Sequence, residues 1–225
     1  MNDKINLKEI ERKAWRSYFQ DGLWDIFLGL LLLSYGIIPF LEDIGIPHLL
    51  SYMAFIPAYV VLFAGKKYIT VPRIGFVKFN SKRKTKKMKA TIVVAISVIF
   101  GSIVLLLTLT NTLPVKGNIP FGALAFGINA IIVFSFIAYF LDFTRLYLYG
   151  LFFALSIALV ELSRSYVGFT YDNIVGFGTF GGITTIIGIA YLIQFLRKYP
   201  SPQDEKANVE IRTKNKRGVT ASLRV

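Results

Sequence analysis

Six apolar stretches separated by short polar or charged connections organise this chain, at residues 23–41, 48–64, 90–110, 120–141, 146–162 and 173–195. A bilayer's hydrocarbon core, about 30 Å thick, needs roughly 20 mostly apolar helical residues to cross it. The pattern therefore predicts an all-α polytopic transmembrane bundle of six spans. The second and fifth stretches are the shortest, which predicts less tilt or a deeper position. Pro47 and Pro120 suit the first turns of their helices, where a missing N–H costs little, and Pro114 and Gly117 punctuate the third loop.

Outside the spans the periodicity changes. Asn6 with Glu9 forms a capping pair. Leu7, Ile10, Ala14 and Tyr18 then recur at helical spacing among Lys8, Arg12 and Arg16, predicting an amphipathic N-terminal helix on a membrane surface. Trp15, Tyr18, Phe19 and Trp24 place aromatic rings at headgroup level. Residues 68–79 are rich in β-branched and aromatic side chains, and Pro72 limits them to an edge strand or bent ribbon. In the tail, Val209, Ile211 and Thr213, then Val219, Ala221, Leu223 and Val225, alternate with polar neighbours. Two readings stand for it: a small cytoplasmic β-ribbon, paired with residues 68–79 or alone, and a disordered basic tail.

Composition agrees with the spans. Hydrophobic residues make up 54% of the 225, with mean hydropathy +0.56, more apolar surface than a soluble domain of this size can bury. Net charge is +13, yet the cations flank apolar runs instead of forming a separate basic domain, so anionic phospholipid headgroups are the expected partner and nucleic acid is not. Threaded up and down, the chain puts 24 of its 26 Lys and Arg residues on one side; only Lys116 and Arg164 fall on the other. Ten of the 24 lie within residues 65–89, which contain no acid. Cytoplasmic segments carry this excess, so both termini are predicted cytoplasmic and the chain a multi-pass protein of the plasma membrane. About twenty residues, many charged, precede the first span, and no cleavable signal is expected. The organisation expected is an amphipathic arm (1–21), a six-helix domain (22–196) with a basic loop (65–89), and a basic tail (197–225).

The chemistry the chain can carry is narrow. There is no cysteine and one histidine, His48, so thiol chemistry, thiolate metal sites and a two-histidine metal site are excluded. No metal site, cofactor or catalytic residue is expected. Asp21 and Asp25 form an i, i+4 carboxylate pair about 6 Å apart along the helix at the cytoplasmic end of span one. A carboxylate there is either an ion, proton or headgroup site, or the partner of an interfacial base such as Lys66, Lys67, Arg145 or Arg197. Arg73 in the second loop and Arg145 in the fourth belong to the same face. Lys82, Arg83, Lys84, Lys86, Lys87 and Lys89 form a run suited to lipid headgroups. Glu161 and Arg164, three apart, are expected to pair as outer anchors, a buried Glu161 being the gate of any solute pathway.

Residues 176–181 formally match GxGxxG but lie inside a span, without the strand that a dinucleotide loop requires. Gly178 and Gly182 read better as a helix-packing pair, with Ala123 and Gly127 as a facing groove. Asn129 and Gln194 are intramembrane amides able to bridge helices or line a pathway, and Pro57 is expected to kink span two. Asp21-Gly22 matches the start of the CDP-alcohol phosphatidyltransferase motif, but the Ala-Arg and the spaced aspartates that complete it are missing.

Three stretches together, Tyr18-Phe19-Gln20-Asp21-Gly22-Leu23-Trp24-Asp25, Val71-Pro72-Arg73-Ile74-Gly75-Phe76-Val77 and Phe195-Leu196-Arg197-Lys198-Tyr199-Pro200, resemble a set of uncharacterised prokaryotic six-span membrane proteins. All three border the cytoplasmic face. The resemblance implies the class and no activity. The expected function is a membrane-embedded binding, scaffolding or regulatory protein that engages anionic lipid or a cytoplasmic protein through its basic face. A small transporter or substrate-binding membrane subunit is the alternative, and a lipid-modifying enzyme the third.

Overall fold

The computed structural model describes residues 19–74, 81–110 and 121–200. The described chain is all-helical, with six helices long and apolar enough to cross a membrane: α1 (Leu23–Asp43), α2 (His48–Ile74), α3 (Ser81–Leu109), α4 (Phe121–Leu141), α5 (Arg145–Val167) and α6 (Phe169–Lys198). They run up and down. At one end Asp21 meets Lys66, Arg145 reaches the Phe19 carbonyl, Lys86 meets Asp142 and Arg73 reaches Tyr199. At the other, Glu42 meets His48 and Arg164 meets Asp172. Every described Lys and Arg except Arg164 sits at the first of these ends, called here the basic end.

Helix α1 is the centre, with half of its most apolar window buried; for α3 the share is 11%. It packs against α6 on one side and α2 on the other, while α5, α4 and α3 follow outward from α6. Leu23 and Phe27 meet Ala58 and Leu62 of α2. Trp24 and Leu28 reach a second cluster built on Phe19, Phe143, Leu146 and Tyr149.

The α1–α6 contact is a seam of glycines. Gly22, Gly29 and Gly36 recur every seven residues on α1, as do Gly181 and Gly188 on α6, a spacing that holds them on one helix face. A Cβ on Gly188 would stand 2.5 Å from the Ile26 nitrogen, and one on Gly181 would stand 2.8 Å from the Leu33 nitrogen. The packing pair expected at Gly178 and Gly182 is met at Gly178, whose nitrogen lies 3.2 Å from where a Cβ on Gly36 would stand, and not at Gly182. A Cβ on Gly182 meets nothing within 4 Å, and one on Gly178 meets only Ile174 at an ordinary 3.7 Å. From Gly178 the seam continues through Gly181, not Gly182. Gly127 faces Ala154 of α5.

Two spans are longer than their hydropathy suggests, and both contain a π-helical turn. In α2 the helix continues through Lys66–Thr70 as a π turn and Val71–Ile74 as a final α turn. The edge strand expected from residue 68 is therefore helix as far as Ile74; its remainder, like residues 1–18 of the N-terminal arm and 201–225 of the tail, lies outside the described residues. Pro72 explains the local geometry. Its ring has no N–H and presses on the carbonyl four residues earlier, and the wider π turn ending at Thr70 absorbs that misfit. Much of the expected basic loop is thus helix, because α3 already begins at Ser81. At about 1.5 Å per residue its 29 residues reach about 43 Å, well beyond a 30 Å hydrocarbon core. In α6 the π turn is Ile174–Gly178, where Gly176 lies against the Ser156 carbonyl and Val160 of α5. Pro57 follows a 3₁₀ stretch, Tyr52–Phe55, and the Ala54 carbonyl there accepts from the Ser34 hydroxyl at 2.7 Å. This bond ties α1 to α2 at the 3₁₀ stretch.

Candidate functional site

The strongest concentration of buried polar groups lies just inside the basic end. Asp21 and Asp25 are both completely buried. Asp21 precedes α1, and its Oδ1 accepts the Leu23 N–H at 3.2 Å, a local turn that caps the helix and puts negative charge at its positive end. Gly22 makes that turn with φ 81°, and a side chain there would run into the Gly188 carbonyl of α6. The other oxygen, Oδ2, accepts from Lys66 Nζ at 2.6 Å and from Thr70 Oγ1 at 2.5 Å.

One turn further in, Asp25 Oδ1 accepts from Tyr149 Oη at 2.5 Å. Its Oδ2 lies 3.0 Å from Arg145 Nη2, an ionic contact without hydrogen-bond geometry, and the same nitrogen donates to the Phe19 carbonyl at 2.9 Å. The guanidinium carbon lies 3.8 Å from the centre of the Tyr191 ring and 5.0 Å from that of Phe143. Trp24 Nε1 is also buried with no hydrogen-bond partner. Two acids thus face two bases in low dielectric, and the local charge sums to zero.

The stretches that carry the sequence resemblance lie at this same end. The first supplies both acids. The second supplies Arg73, whose Nη1 donates to the carbonyls of Leu196 (3.4 Å) and Tyr199 (2.8 Å) in the third, closing the end of α6. Of the bases expected to meet Asp25, Arg145 does; Lys66 goes to Asp21 instead, and Lys67 and Arg197 are exposed. Tyr149 and Thr70 are the members that the sequence reading did not single out. Each follows its basic neighbour by four residues, so Arg145/Tyr149 and Lys66/Thr70 repeat the spacing of Asp21/Asp25. That shared spacing was the available signal.

The remaining candidates are scattered. Glu161 pairs with Arg164 at 3.0 Å at the far end, and Arg164 also holds the buried Asp172 at 2.9 Å. Asn129 donates to Ser97 Oγ at 2.8 Å, tying α4 to α3. Such bonds contribute about 0.6 kcal/mol on average. Lys84, Lys87 and Lys89 are exposed, and Lys86 bridges to Asp142 at 3.1 Å; the side chains of Lys82 and Arg83 lie outside the described set. His48 contacts Glu42 and Tyr52 on the surface. Among the described residues no three His, Asp or Glu side chains gather as a metal site would require. No protein-family profile, curated protein or solved structure matches this chain.

Proposed function

We propose that the chain is an integral membrane protein of the plasma membrane with both termini in the cytoplasm, and that its basic face is a binding surface, engaging anionic lipid or docking a soluble protein as a scaffold or regulator. The supporting observation is the pairing of acids at that end. Asp21, Asp25 and Asp142 hold Lys66, Arg145 and Lys86, while Lys84, Lys89, Arg197 and Lys198 stand exposed at the same end. A transport role draws less support. Asn129, Gln194 and Glu161 line separate clefts, and those of Asn129 and Glu161 are otherwise almost wholly apolar.

The natural lack of cysteine makes orientation directly measurable. A single cysteine at Tyr166, which is 89% exposed at the far end, is expected to react with a membrane-impermeant maleimide in intact spheroplasts. One at Lys86 is expected to react only after permeabilisation. The reverse pattern would refute the assigned sidedness.

The binding role is tested by purifying the chain in native lipid and identifying by mass spectrometry what it retains. Replacing Lys84, Lys86, Lys87 and Lys89 together by glutamine is expected to reduce the anionic lipid or the soluble protein recovered. The upper limit is about 1 kcal/mol per lysine at the surface. A small solute retained equally by both forms, with neither lipid enrichment nor a protein partner, would replace this role with transport.

A further inference from the structure

Helix α3 stands at the edge of the bundle. Among the described residues α4 is its one substantial packing partner, and α4 leans in turn on α5. Between α3 and α4 lies a groove of about 660 Å³ that runs along α4 from Phe121 to Phe136 and along α3 from Val93 to Phe100. At 1.5 Å per residue its α4 wall is about 22 Å long. Leu124, Ile128, Ile132 and Phe136 on that wall are each about half exposed.

Two polar side chains set this groove apart from an ordinary lipid-facing surface. Asn129 Nδ2 donates to Ser97 Oγ at 2.8 Å, and among the described residues this is the one side-chain hydrogen bond that either makes. The pair therefore keeps the Asn129 carbonyl as an acceptor, with a second amide N–H and the Ser97 hydroxyl as donors. Thr91, Ser102 and Thr108 on the same helix differ, since each donates to the carbonyl four residues back. Depth decides what can meet the unspent groups. Asn129 stands about 12 Å along α4 from Phe121 and about 18 Å from Leu141, near the middle of a 30 Å hydrocarbon core. An acyl chain offers nothing to hydrogen-bond there, whereas polar side chains at such depth join helix to helix.

We propose that this groove is an interface between two copies of the chain, related by a two-fold axis that passes beside Asn129. Each copy's Asn129 carbonyl accepts from the Asn129 amide or the Ser97 hydroxyl of the other. An amide both donates and accepts, so it complements itself, as a two-fold contact requires. One asparagine in an apolar helical seam fixes register and partner number in the same way. The rims, Ile96 and Phe100 on α3 with Ile128, Ile132 and Phe136 on α4, supply the packing. With the axis along the membrane normal, both copies keep one orientation and their basic ends lie side by side. The interface rests on the membrane reading above, and not on what the basic face binds.

The test is Förster transfer between donor- and acceptor-labelled full chains, each labelled at Tyr166→Cys, in phosphatidylcholine vesicles diluted with excess lipid. A reversible dimer is expected. Asn129→Leu is expected to raise its dissociation constant at least about tenfold, because two exchanged hydrogen bonds are lost. Asn129→Gln, which keeps the amide, is expected to retain most of the affinity. Since Asn129→Leu also cuts the tie between α4 and α3, Ile128→Trp gives an independent arm. It obstructs the groove from a half-exposed position, and comparable weakening is expected with helical content and melting unchanged. Val60→Trp, exposed on α2, is expected to leave the dimer as it was. Transfer that is absent at every dilution, indifferent to both groove variants, or weakened equally by Val60→Trp would overturn the interface. A monomer that retains a lipid or apolar solute in native mass spectrometry only while Asn129 is present would assign the groove to that ligand and overturn the second copy. Extraction of the chain from membranes by alkaline carbonate is a separate outcome, which would overturn the membrane reading itself.

Discussion

Asp21→Ala is expected to destabilise the folded chain by about 3–5 kcal/mol, the cost typical of breaking a buried ion pair from one side. The loss arises mainly from what remains. Lys66 is buried at a protein-packed helix end, and the substitution removes its 2.6 Å ion pair with Asp21. The Thr70 hydroxyl and the Leu23 amide lose their acceptor at the same time. Asp21→Asn tests the partition: it keeps an oxygen for Leu23 but leaves Lys66 charged, so most of the penalty is expected to persist. Pairing Asp21→Ala with Lys66→Met removes both charges and is expected to restore much of the stability, since an apolar replacement of a buried pair is often neutral or better. Unfolding by titration with a denaturing detergent, followed by circular dichroism, gives the four values needed for a double-mutant cycle. If the single and double variants prove equally unstable, the ion pair is not the source of the loss.

Gly188→Leu is expected to be more damaging still, above about 4 kcal/mol, in the exceptional range for a single substitution. The first atom of the new side chain already conflicts with the Ile26 nitrogen at 2.5 Å and the Asp25 carbonyl carbon at 3.0 Å, both backbone atoms that no rotamer change can move. Relief requires α1 and α6 to separate along the seam, which would also pull Asp25 away from Arg145. Gly182→Leu is the control. Space is open at that position, so the same added volume is expected to change stability by no more than about 0.5 kcal/mol. Comparable losses in the two variants would mean that the seam does not run through Gly188.

The large-scale architecture was legible because it rests on few physical requirements. Six apolar runs of sufficient length become six helices, and the turn residues between them mark where the chain reverses. Asp25 with Arg145 was legible from depth, since an acid just inside one helix end needs a base at the same level. What was missed concerns register. The GxxxG spacing pointed to Gly178 and Gly182; Gly178 does back Gly36, but helix rotation puts Gly181 and not Gly182 on the seam, and the seven-residue recurrence of Gly22, Gly29 and Gly36 carried that information. Residues from Tyr68 were misread because their β-branched side chains suggest a strand, whereas α2 extends its own hydrogen bonding by shifting to a π turn ahead of Pro72. Thr70 ends that π turn, so its place in the network was legible only from its four-residue spacing after Lys66 and not from hydropathy.

The glycine seam joins the first span to the last, and this sets the timing of assembly. At about 5–20 residues per second, α1 leaves the ribosome on the order of ten seconds before α6. For that interval its glycine face has no partner, and Arg73 has no α6 carbonyls to cap. The bundle can collect α2 to α5 in order, but its central joint closes only when synthesis is nearly complete. Any factor that shields helices during biogenesis would find its most persistent client surface on α1.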